Sequence, residues 1–306
     1  MLARARDLLL EWFTSNGRDL PWRHTRDPYR ILVSEVMLQQ TQVDRVVPRY
    51  HAFLQQFPTI EALAAAPTAD VIRAWAGLGY NRRAVNLQRT ARAVLDLHGG
   101  SFPSDVDALR TLPGIGPYTA GAVACFAFER DVAFLDTNIR RVVLRLLADP
   151  QQPAPSEREL VALAGQAVPA GDGWRWNQAI MELGALICTA AAPACWRCPV
   201  QPVCRDYAAR RIADEALLPP EQLARPRRLA EKREAPYAGS NRYYRGRLLA
   251  LLRDLAPGQS LALETAGPQL KADYTTDDLP WLERLAAGMA RDGLIVLNAS
   301  SAQLPE

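Results

Sequence analysis

The strongest chemical signal in the sequence is a run of four cysteines, Cys188, Cys195, Cys198 and Cys204, spaced C-x6-C-x2-C-x5-C. In a chain without a secretion signal, clustered cysteines indicate a metal site rather than disulfides. Four thiolates suit either zinc or an iron–sulfur cluster. Zinc sites usually consist of two CxxC pairs separated by a longer loop, whereas this run closes within seventeen residues. The compact spacing favours a [4Fe–4S] cluster with an architectural role, and the fifth cysteine, Cys125, is predicted to pack in an apolar helix.

Two acidic residues stand where a carboxylate could do acid–base chemistry. Glu35 lies inside an apolar run of helical periodicity, SEVMLQQTQ. A carboxylate there is either on the exposed face of the helix or buried with a raised pKa for acid catalysis. Asp136 precedes an amphipathic segment, so its default interpretation is a helix N-cap. The residues alone leave these alternatives open.

A glycine-containing segment, LPGIGPYTAGA at 112–122, places Gly114 and Gly116 in a tight loop between two predicted helices. Glycines there allow positive φ and a close approach of the backbone to another surface. Backbone N–H groups at the start of the next helix could then hold a phosphate, including one of DNA. Taken alone, the G-x-G pattern is equally typical of an ordinary helix–helix turn.

The elements that position these residues are predicted to be almost entirely helical up to residue 215. The N-terminal residues predict an amphipathic helix, and strand-like alternation is nearly absent before residue 258. Helical periodicity also predicts helices over 43–57, 60–66, 69–76, 82–97, 105–111, 119–127, 138–148, 157–168 and 176–187.

A charged, proline-rich stretch marks the boundary of this helical part. The sequence predicts a helical domain over 1–215, with a hairpin near 112–118 and a cysteine loop over 188–204, a linker over 216–236, and a small α+β domain over 237–306. In that last domain we expect a helix over 240–255, a strand over 259–264, a helix over 278–292 and a strand over 293–298. Helices followed by a short terminal hairpin suggest a winged-helix-like arrangement.

Composition narrows the class of protein. The 306 residues are 49% hydrophobic and 23% charged, which is typical of a folded protein and excludes disordered, collagen-like and coiled-coil chains. The apolar stretches fall short of the ~20 residues that a membrane span needs, and the N-terminus has no signal-peptide cleavage site. We therefore expect a cytoplasmic protein with no membrane partner.

The charge distribution is uneven although the net charge is only +3. The chain has only two lysines, Lys232 and Lys271, so arginine supplies nearly all of its positive charge. Segment 225–247 holds eight basic residues against two acidic ones. Such a connector could contact a phosphate backbone or be only a solvated linker.

A set of ordered motifs carries a resemblance to a known family. The motifs are PWRHTRDPY (21–29), SEVMLQQTQV (34–43), GLGYNRRAVNL (77–87), LPGIGPYTAGA (112–122) and LDTNIRRV (135–142), followed by the four cysteines. They occur in the order of the helix-hairpin-helix, iron–sulfur DNA glycosylases, and the chain most resembles the MutY-like adenine glycosylases among them. The match covers about residues 1–210. The resemblance implies a mainly α, helix-hairpin-helix glycosylase fold with a [4Fe–4S] module.

The resemblance also implies roles for the two carboxylates. Glu35 would protonate the purine at N7 and handle the water, while Asp136 would stabilise the sugar oxocarbenium ion or capture it transiently. This arrangement mirrors glycoside hydrolysis. Asn138 would orient the pair. The target base must first leave the double helix, which requires a pocket and a wedge.

By the same resemblance, a set of residues would contact the DNA. Gln40 and Tyr80 would fill or enter the base stack. The base pocket would be lined by Arg18, Trp22, Arg23 and Leu38. The wider DNA-binding surface would include Thr41, Gly114 and Gly116. The expected partner is double-stranded DNA with a mismatch or an oxidised base, bound by a monomer that associates with the nucleoid through DNA.

The residue after Gly116-Pro117 separates two chemistries. In endonuclease III-like relatives a lysine there attacks the sugar, forms a Schiff base and nicks the strand. This chain has Tyr118, and neither lysine lies in any of the motifs. We therefore predict release of a base to leave an abasic site, without efficient strand cleavage.

Departures from the family bear on the substrate. The tail, residues 237–306, is too short for the C-terminal domain that usually recognises 8-oxoguanine in this family. Where the family usually has LGYY, this chain has LGYN, with Asn81 as the last residue. Where the family usually has LDGN, this chain has LDTN, with Thr137 in place of glycine. PWRHTRDPY also resembles the thymine/uracil mismatch glycosylases, whereas MLQQTQ favours the adenine branch. The leading prediction is excision of adenine mispaired with 8-oxoguanine or guanine.

Two alternatives stay open beside that prediction. One is a thymine or uracil mismatch glycosylase, and the other is a non-catalytic DNA-damage-binding protein, against which the presence of two carboxylates argues. The tail could add a DNA-gripping surface, since aromatic and arginine side chains suit nucleic acid, although an exposed helix start explains them equally well. Its candidate residues are Arg242, Tyr243, Tyr244, Arg245 and Arg247.

Overall fold

The computed structural model describes residues 1–215 and 237–306. The linker predicted over 216–236, and the basic residues within it, lie outside the described residues. In chain order the helices up to residue 215 are α1 (Leu2–Asn16), α2 (Pro28–Leu38), α3 (Val43–Gln56), α4 (Ile60–Ala65), α5 (Thr68–Ala74), α6 (Arg82–His98), α7 (Val106–Arg110), α8 (Pro117–Phe128), α9 (Thr137–Leu147), α10 (Glu157–Ala167), α11 (Gly173–Leu186) and α12 (Arg205–Glu215). Every helix predicted from periodicity in this part is confirmed.

Local signals in the sequence set several of the helix ends. Ser156 and Glu159 form a reciprocal capping box at the start of α10. Thr59 caps α4 by accepting a hydrogen bond from a backbone N–H of its first turn. Helix α6 ends at Gly99, whose φ of 60° lies in the left-handed region that glycine tolerates.

The C-terminal segment combines helices with a small antiparallel sheet. Its elements are α13 (Asn241–Arg253), β1 (Leu261–Ala262), α14 (Leu263–Leu270), α15 (Leu279–Arg291), β2 (Val296–Asn298) and β3 (Ser301–Gln303). The strand order is β1-β3-β2, with Ala262 opposite Ser301 and Leu297 opposite Ala302. The helices predicted over 240–255 and 278–292 are confirmed.

The strand predicted over 259–264 is wrong in extent, because only Leu261 and Ala262 pair and the chain then turns into α14. The buried residues Leu263, Ala266 and Leu270 lie on one face of α14. The sequence does not predict this helix, because Gly267 and Pro268 are poor helix formers. Gly267 is needed there because a Cβ would lie 2.2 Å from the ring of Tyr274. The strand predicted over 293–298 is likewise limited to its last three residues.

The described residues form two compact units. The first contains Met1–Ile31, Ser104–Arg110 and 115–215. In this unit α11 packs against α9 and α1, and Trp176, Ile180, Val143 and Leu9 are buried. The first unit also contains α7 and α8, which pack against each other.

The second unit contains Leu32–Pro103, Thr111–Gly114 and 237–306. Its C-terminal segment shares a continuous core with α5 and α6, in which Leu249 and Leu252 lie with Ile72 and Val85. The backbone N–H of Ala69 donates to the carbonyl of Pro305 at 2.7 Å. The division into domains at 215 and 237 stays a prediction.

Across residues 1–215 and 237–306, no helix combines the length and the apolar character needed to cross a bilayer.

Candidate active site

Glu35 lies in the most buried stretch of α2. Residues 31–37 are all buried, and Glu35 is 3% exposed. The alternative that places Glu35 on the exposed face of the helix is therefore wrong. A buried carboxyl in an otherwise apolar helix is costly unless its polar atoms are satisfied, and such groups concentrate at functional sites.

Asp136 is the N-cap of α9, as predicted. Its Oδ1 accepts a hydrogen bond from the backbone N–H of Ile139 at 2.6 Å. Burial raises the pKa of Asp136, although hydrogen bonds from the backbone of Ile139 and Asn138 and the charge of Arg141 oppose that shift. The carboxylate is thus held in position by the helix start and made more basic by its surroundings.

Asn138 connects Asp136 to the half-buried side chain of Arg141. The Asn138 side chain hydrogen-bonds to Asp136, and its Oδ1 accepts from Nη2 of Arg141 at 2.7 Å. Arg141 also donates to the carbonyls of Gly184 at 2.7 Å and Cys188 at 2.6 Å. Gly184 permits this approach, because a Cβ would lie 2.7 Å from Cβ of Asn138. Sequence reasoning missed Arg141, although it belongs to the LDTNIRRV motif.

Two residues predicted to contact DNA, Gln40 and Tyr80, share an uncommon backbone conformation. Their φ angles are 55° and 45°, in the left-handed region that side-chain-bearing residues rarely adopt. Gln40 is exposed, and Tyr80 is 43% exposed. Strained, exposed residues of this kind concentrate at ligand-binding surfaces, provided that their surroundings hold them in place.

The buried side chain of Arg83 supplies that support. Its guanidinium donates to the carbonyls of Val36, Met37 and Gln39 at 2.6–3.0 Å and to those of Leu78 and Gly79 at 3.1–3.2 Å. A further bond of 3.2 Å reaches Oγ1 of Thr41. Arg83 therefore ties the end of α2 and the Gln40 turn to the loop before Tyr80. Burial lowers its pKa to about 10, so it remains charged at neutral pH.

Sequence reasoning missed Arg83. The available signal is the second of the two arginines that follow LGYN, within the motif GLGYNRRAVNL.

Arg18 and Arg23, predicted to line a base pocket, meet at one buried carboxylate. Nε of Arg18 lies 2.7 Å from Oε1 of Glu182, and Nη2 of Arg23 lies 2.8 Å from Oε2. Burial pushes the pKa of Glu182 upward, but the hydrogen bonds from both arginines outweigh it and lower the pKa. Trp22, between the arginines in sequence, is buried, and Leu38 at the end of α2 is half-buried. Glu182 was missed, although a lone acidic residue in the apolar run AIMELGAL was a usable signal.

Of the two glycines in the loop before α8, Gly114 has a positive φ, whereas Gly116 has a φ of −88° and open space where a Cβ would lie. Gly114 has a φ of 78°, and a Cβ on it would lie 2.8 Å from Cβ of Asn86. Gly116 is the N-cap of α8 and supplies no side-chain cap, while Pro117 occupies the first turn. First-turn N–H groups without a side-chain cap are suited to an anion. Tyr118 follows, with its ring edge-on to Phe134 at 5.5 Å between centroids.

The four cysteines of the spaced run line one pocket. Its other walls are largely apolar, with Leu146, Leu183 and Val200 among them. Nη1 of Arg145 donates to Sγ of Cys188 at 3.3 Å. Burial, aided by the other three thiols, raises the pKa of Cys198 to about 12.

No group of three or more His, Cys, Asp or Glu within the part of the chain that the structure describes is placed to hold a metal ion. In a cubane each thiolate binds a different iron atom, so its ligands are spread around a pocket rather than gathered on one ion. Four thiols that line one pocket are a donor set that suits a [4Fe–4S] cluster or a zinc ion.

The predicted site residues thus fall into local groups. Asp136 and Asn138 lie together, as do Arg18 and Arg23, the four cysteines, and the three residues Gln40, Thr41 and Tyr80 that Arg83 links. Glu35 belongs to the second unit and Asp136 to the first.

Comparisons with known proteins give the family. A model of the HhH-GPD superfamily of base excision DNA repair proteins matches residues 33–164. An adenine DNA glycosylase of Mycolicibacterium smegmatis is 43% identical over 247 residues, which span 80% of this chain and 79% of that protein. The human adenine DNA glycosylase is 42% identical over 224 residues, which span 70% of this chain and 41% of that protein.

Among solved structures, a thermostable thymine-DNA glycosylase has a TM-score of 0.63 and 32% identity, covering 68% of this chain and 98% of its own. An endonuclease III in a non-covalent DNA complex, 24% identical with a TM-score of 0.58, shares the fold over 69% of this chain and 99% of its own.

These matches define the class of protein. The chain belongs to the HhH-GPD superfamily of base excision DNA repair proteins, and its enzyme class is that of the DNA glycosylases. Relatives that match most of its length bear the name adenine DNA glycosylase.

Proposed function

We propose that this protein is a monofunctional adenine DNA glycosylase of base excision repair, which hydrolyses the N-glycosidic bond of adenine mispaired with 8-oxoguanine or guanine. The observation that carries the proposal is the buried carboxyl of Glu35, in a motif of the adenine branch, together with the N-capping carboxylate of Asp136. The 43% identity to relatives named adenine DNA glycosylase supports the choice of base.

In this reaction the bond between C1′ and N9 of the adenine breaks. Glu35 donates a proton to N7, so that the base leaves as a neutral purine. Ionised Asp136 stabilises the positive charge that develops on the sugar, as a fixed carboxylate does in glycoside hydrolysis. Water then adds to C1′ and returns a proton to Glu35, leaving an abasic site and free adenine.

Asn138 and Arg141 act on Asp136 rather than on the substrate. Asn138 hydrogen-bonds to the carboxylate, and Arg141 donates a hydrogen bond to Asn138, so the orientation of the carboxylate at the helix start is fixed. Preorganised charge of this kind avoids reorganisation during the reaction, which is how electrostatic catalysis gains most of its effect.

The absence of an amine at position 118 makes the enzyme monofunctional. Strand nicking by a glycosylase of this family requires a nucleophilic amine that forms a Schiff base, and the side chain of Tyr118 is a phenol. Lys271 is committed to an ion pair with Asp278 at 2.9 Å. Lys232 lies outside the described residues.

The four cysteines of the pocket would hold a [4Fe–4S] cluster. When bound, the cluster cross-links the loop 188–204, and this supports Arg141 and Arg145, which bind carbonyls and a thiol of that loop. Its role in the proposal is architectural.

The proposed partner is duplex DNA with a mismatch or an oxidised base, bound by a monomeric protein of the cytoplasm and nucleoid. Gln40 and Tyr80 would enter the stack, the turn with Gly114 and Gly116 would bind a phosphate, and Thr41 would lie at the same DNA surface as Gln40. The proposal includes the domain division at 215 and 237. The order helix, strand, two helices and hairpin in the C-terminal segment supports a winged-helix-like assignment.

One second candidate has a specific observation in its favour. The thymine-DNA glycosylase structure matches with 32% identity, so excision of thymine or uracil from mispairs with guanine is the alternative substrate choice. A non-catalytic damage binder is disfavoured, because it would have no use for a carboxyl buried as deeply as Glu35.

The test is base release under single-turnover conditions on matched duplexes that contain A:8-oxoG, A:G, T:G or U:G, with and without alkali. Cleavage after alkali on the adenine duplexes alone supports the proposal. Release of thymine or uracil instead would assign the protein to the mismatch pyrimidine branch. Binding of these duplexes without release of any base would support the non-catalytic damage binder.

A further inference from the structure

The start of α13 carries an arginine that contacts Tyr80. Nη1 of Arg242 donates to the hydroxyl of Tyr80 at 2.8 Å. The Arg242 guanidinium carbon also lies 5.6 Å from the centroid of the Tyr80 ring and 5.1 Å from that of Tyr237. Both partners belong to the second unit. Arg242 thus holds the Tyr80 side chain by its hydroxyl and by its ring face.

The two residues after Tyr80 are also bound by the C-terminal segment. Nη2 of Arg253 donates to Oδ1 of Asn81 at 2.8 Å. Nη1 of Arg82 lies 3.6 Å from Oδ1 of Asp292. Asn81 is one of the positions where the motif departs from LGYY, and here its short amide supplies the acceptor for Arg253. Three consecutive residues therefore have partners in the segment 237–306.

These contacts complement those of Arg83. Arg83 binds the backbone carbonyls of the loop that leads to Tyr80, and its guanidinium carbon lies 5.6 Å from the centroid of the Tyr80 ring. Arg242 adds a hydrogen bond to the hydroxyl at the far end of that side chain. The contacts of Arg83 do not reach the hydroxyl of this tyrosine, which is 43% exposed. Ordering such a side chain on binding weakens the complex unless the free protein already holds it in place.

We propose that Arg242 is a positioning residue for Tyr80, and that the C-terminal segment thereby prepares this ring for insertion into duplex DNA. The inference rests on the proposed function, in which Tyr80 enters the base stack. It assigns the segment a task other than contact with the lesion itself. Because Arg242 already holds Tyr80 in the free protein, the entropic cost of immobilising this one side chain is not incurred when DNA binds. That cost corresponds to about a 3- to 10-fold effect on DNA affinity.

The test is a double-mutant cycle of Arg242→Ala and Tyr80→Ala, with Tyr80→Phe to isolate the hydroxyl. Single-turnover excision from A:8-oxoG duplex is measured against enzyme concentration, which separates the half-saturating concentration from the limiting rate. The fluorescence of 2-aminopurine beside the mispair reports unstacking directly. Arg284→Ala removes the same charge from an exposed position on α15 and is the matched control.

We expect Arg242→Ala to raise the half-saturating concentration about 3- to 10-fold, with a limiting rate within about 2-fold of the wild type. It should also lower the 2-aminopurine signal and have no further effect in the Tyr80→Ala background. Arg284→Ala should match the wild type. Unchanged melting temperatures for the single variants confirm that each is folded.

Two results would overturn the inference. Arg242→Ala could equal Arg284→Ala in every readout, or its effect could add to that of Tyr80→Ala and reduce the slope of log affinity against log salt by about one, which indicates a direct phosphate contact. If the wild type excises adenine, either result refutes this inference and leaves the proposed function intact. A wild type that releases no adenine refutes the proposed function instead.

Discussion

Asp136 accepts a hydrogen bond from the backbone N–H of Ile139 at 2.6 Å, so the proposed catalytic carboxylate is also the N-cap of α9. A single side chain therefore combines a structural and a chemical task, and either could explain its presence. Because an asparagine caps a helix about as well as an aspartate, the two tasks can be separated by one substitution.

Asp136→Asn is expected to keep the cap and lose the charge. Base release should fall about 1,000-fold, the scale of removing one electrostatic stabiliser of a transition state, while affinity for the mispair is retained. Single-turnover kinetics and a binding titration on the same duplex measure the two effects. Asp136→Ala is the control, because it removes the cap as well and should cost about 1 kcal/mol in the free energy of unfolding. Turnover of Asp136→Asn at the wild-type rate would refute the mechanism.

The same substitution has a predicted effect on stability. Since burial raises the pKa of Asp136, the folded chain binds this proton more tightly than the unfolded chain. The contribution of Asp136 to stability is therefore present at low pH and lost as the pH rises through the folded-state pKa. Asp136→Asn should increase the free energy of unfolding at about pH 7, and by less at about pH 5. Urea denaturation at both pH values tests this, and an advantage that grew on acidification would contradict it.

Among the arginines near the proposed DNA surface, Arg83 is expected to contribute most to the free energy of unfolding. Arg83→Ala leaves several buried carbonyls without a donor, at a cost of about 3 kcal/mol in the free energy of unfolding. The neighbouring Arg82→Ala should cost under about 1 kcal/mol, because its partner Asp292 forms only a surface pair with it. Chemical denaturation compares the two variants. Equal losses would show that Arg83 does not hold the loop.

The cysteine pocket predicts a coloured protein. Purified wild type should be yellow-brown, absorb near ~400 nm and contain about four irons per chain. Cys198→Ala should lose the iron and the absorption. Cys125→Ser should keep both, because Cys125 is fully buried elsewhere in the same unit, where its Sγ accepts from Asn177 at 3.3 Å. Colourless protein that contains zinc would overturn the cluster assignment and leave the glycosylase assignment intact.

The helical architecture was predictable because its signals are local. Apolar periodicity predicts helices between residues 43 and 187 that the structure contains, and the position of Asp136 before α9 predicts its role as the N-cap. Helix α14 escaped prediction because Gly267 and Pro268 oppose helix formation locally and the packing of Tyr274 overrides them.

The parts of the site that were missed depend on contacts distant in the sequence. The position of Glu182 in an apolar run is visible in the sequence, but its partners Arg18 and Arg23 lie more than 150 residues away and only the fold identifies them. Arg83 and Arg242 act on the conformation of Tyr80, and neither contact has a signature in spacing or composition. The burial of Glu35 was one of two alternatives, and tertiary packing decided between them.

The most direct test of the central claim is the product analysis of one single-turnover reaction on an A:8-oxoG duplex. The wild type should release free adenine in an amount equal to the abasic sites formed, with strand breaks only after alkali. Tyr118→Lys, which introduces an amine at the start of α8, should gain breaks without alkali and a borohydride-trapped adduct. Release of thymine from a T:G duplex in place of adenine, or breaks made by the wild type without alkali, would contradict the assignment as a monofunctional adenine glycosylase.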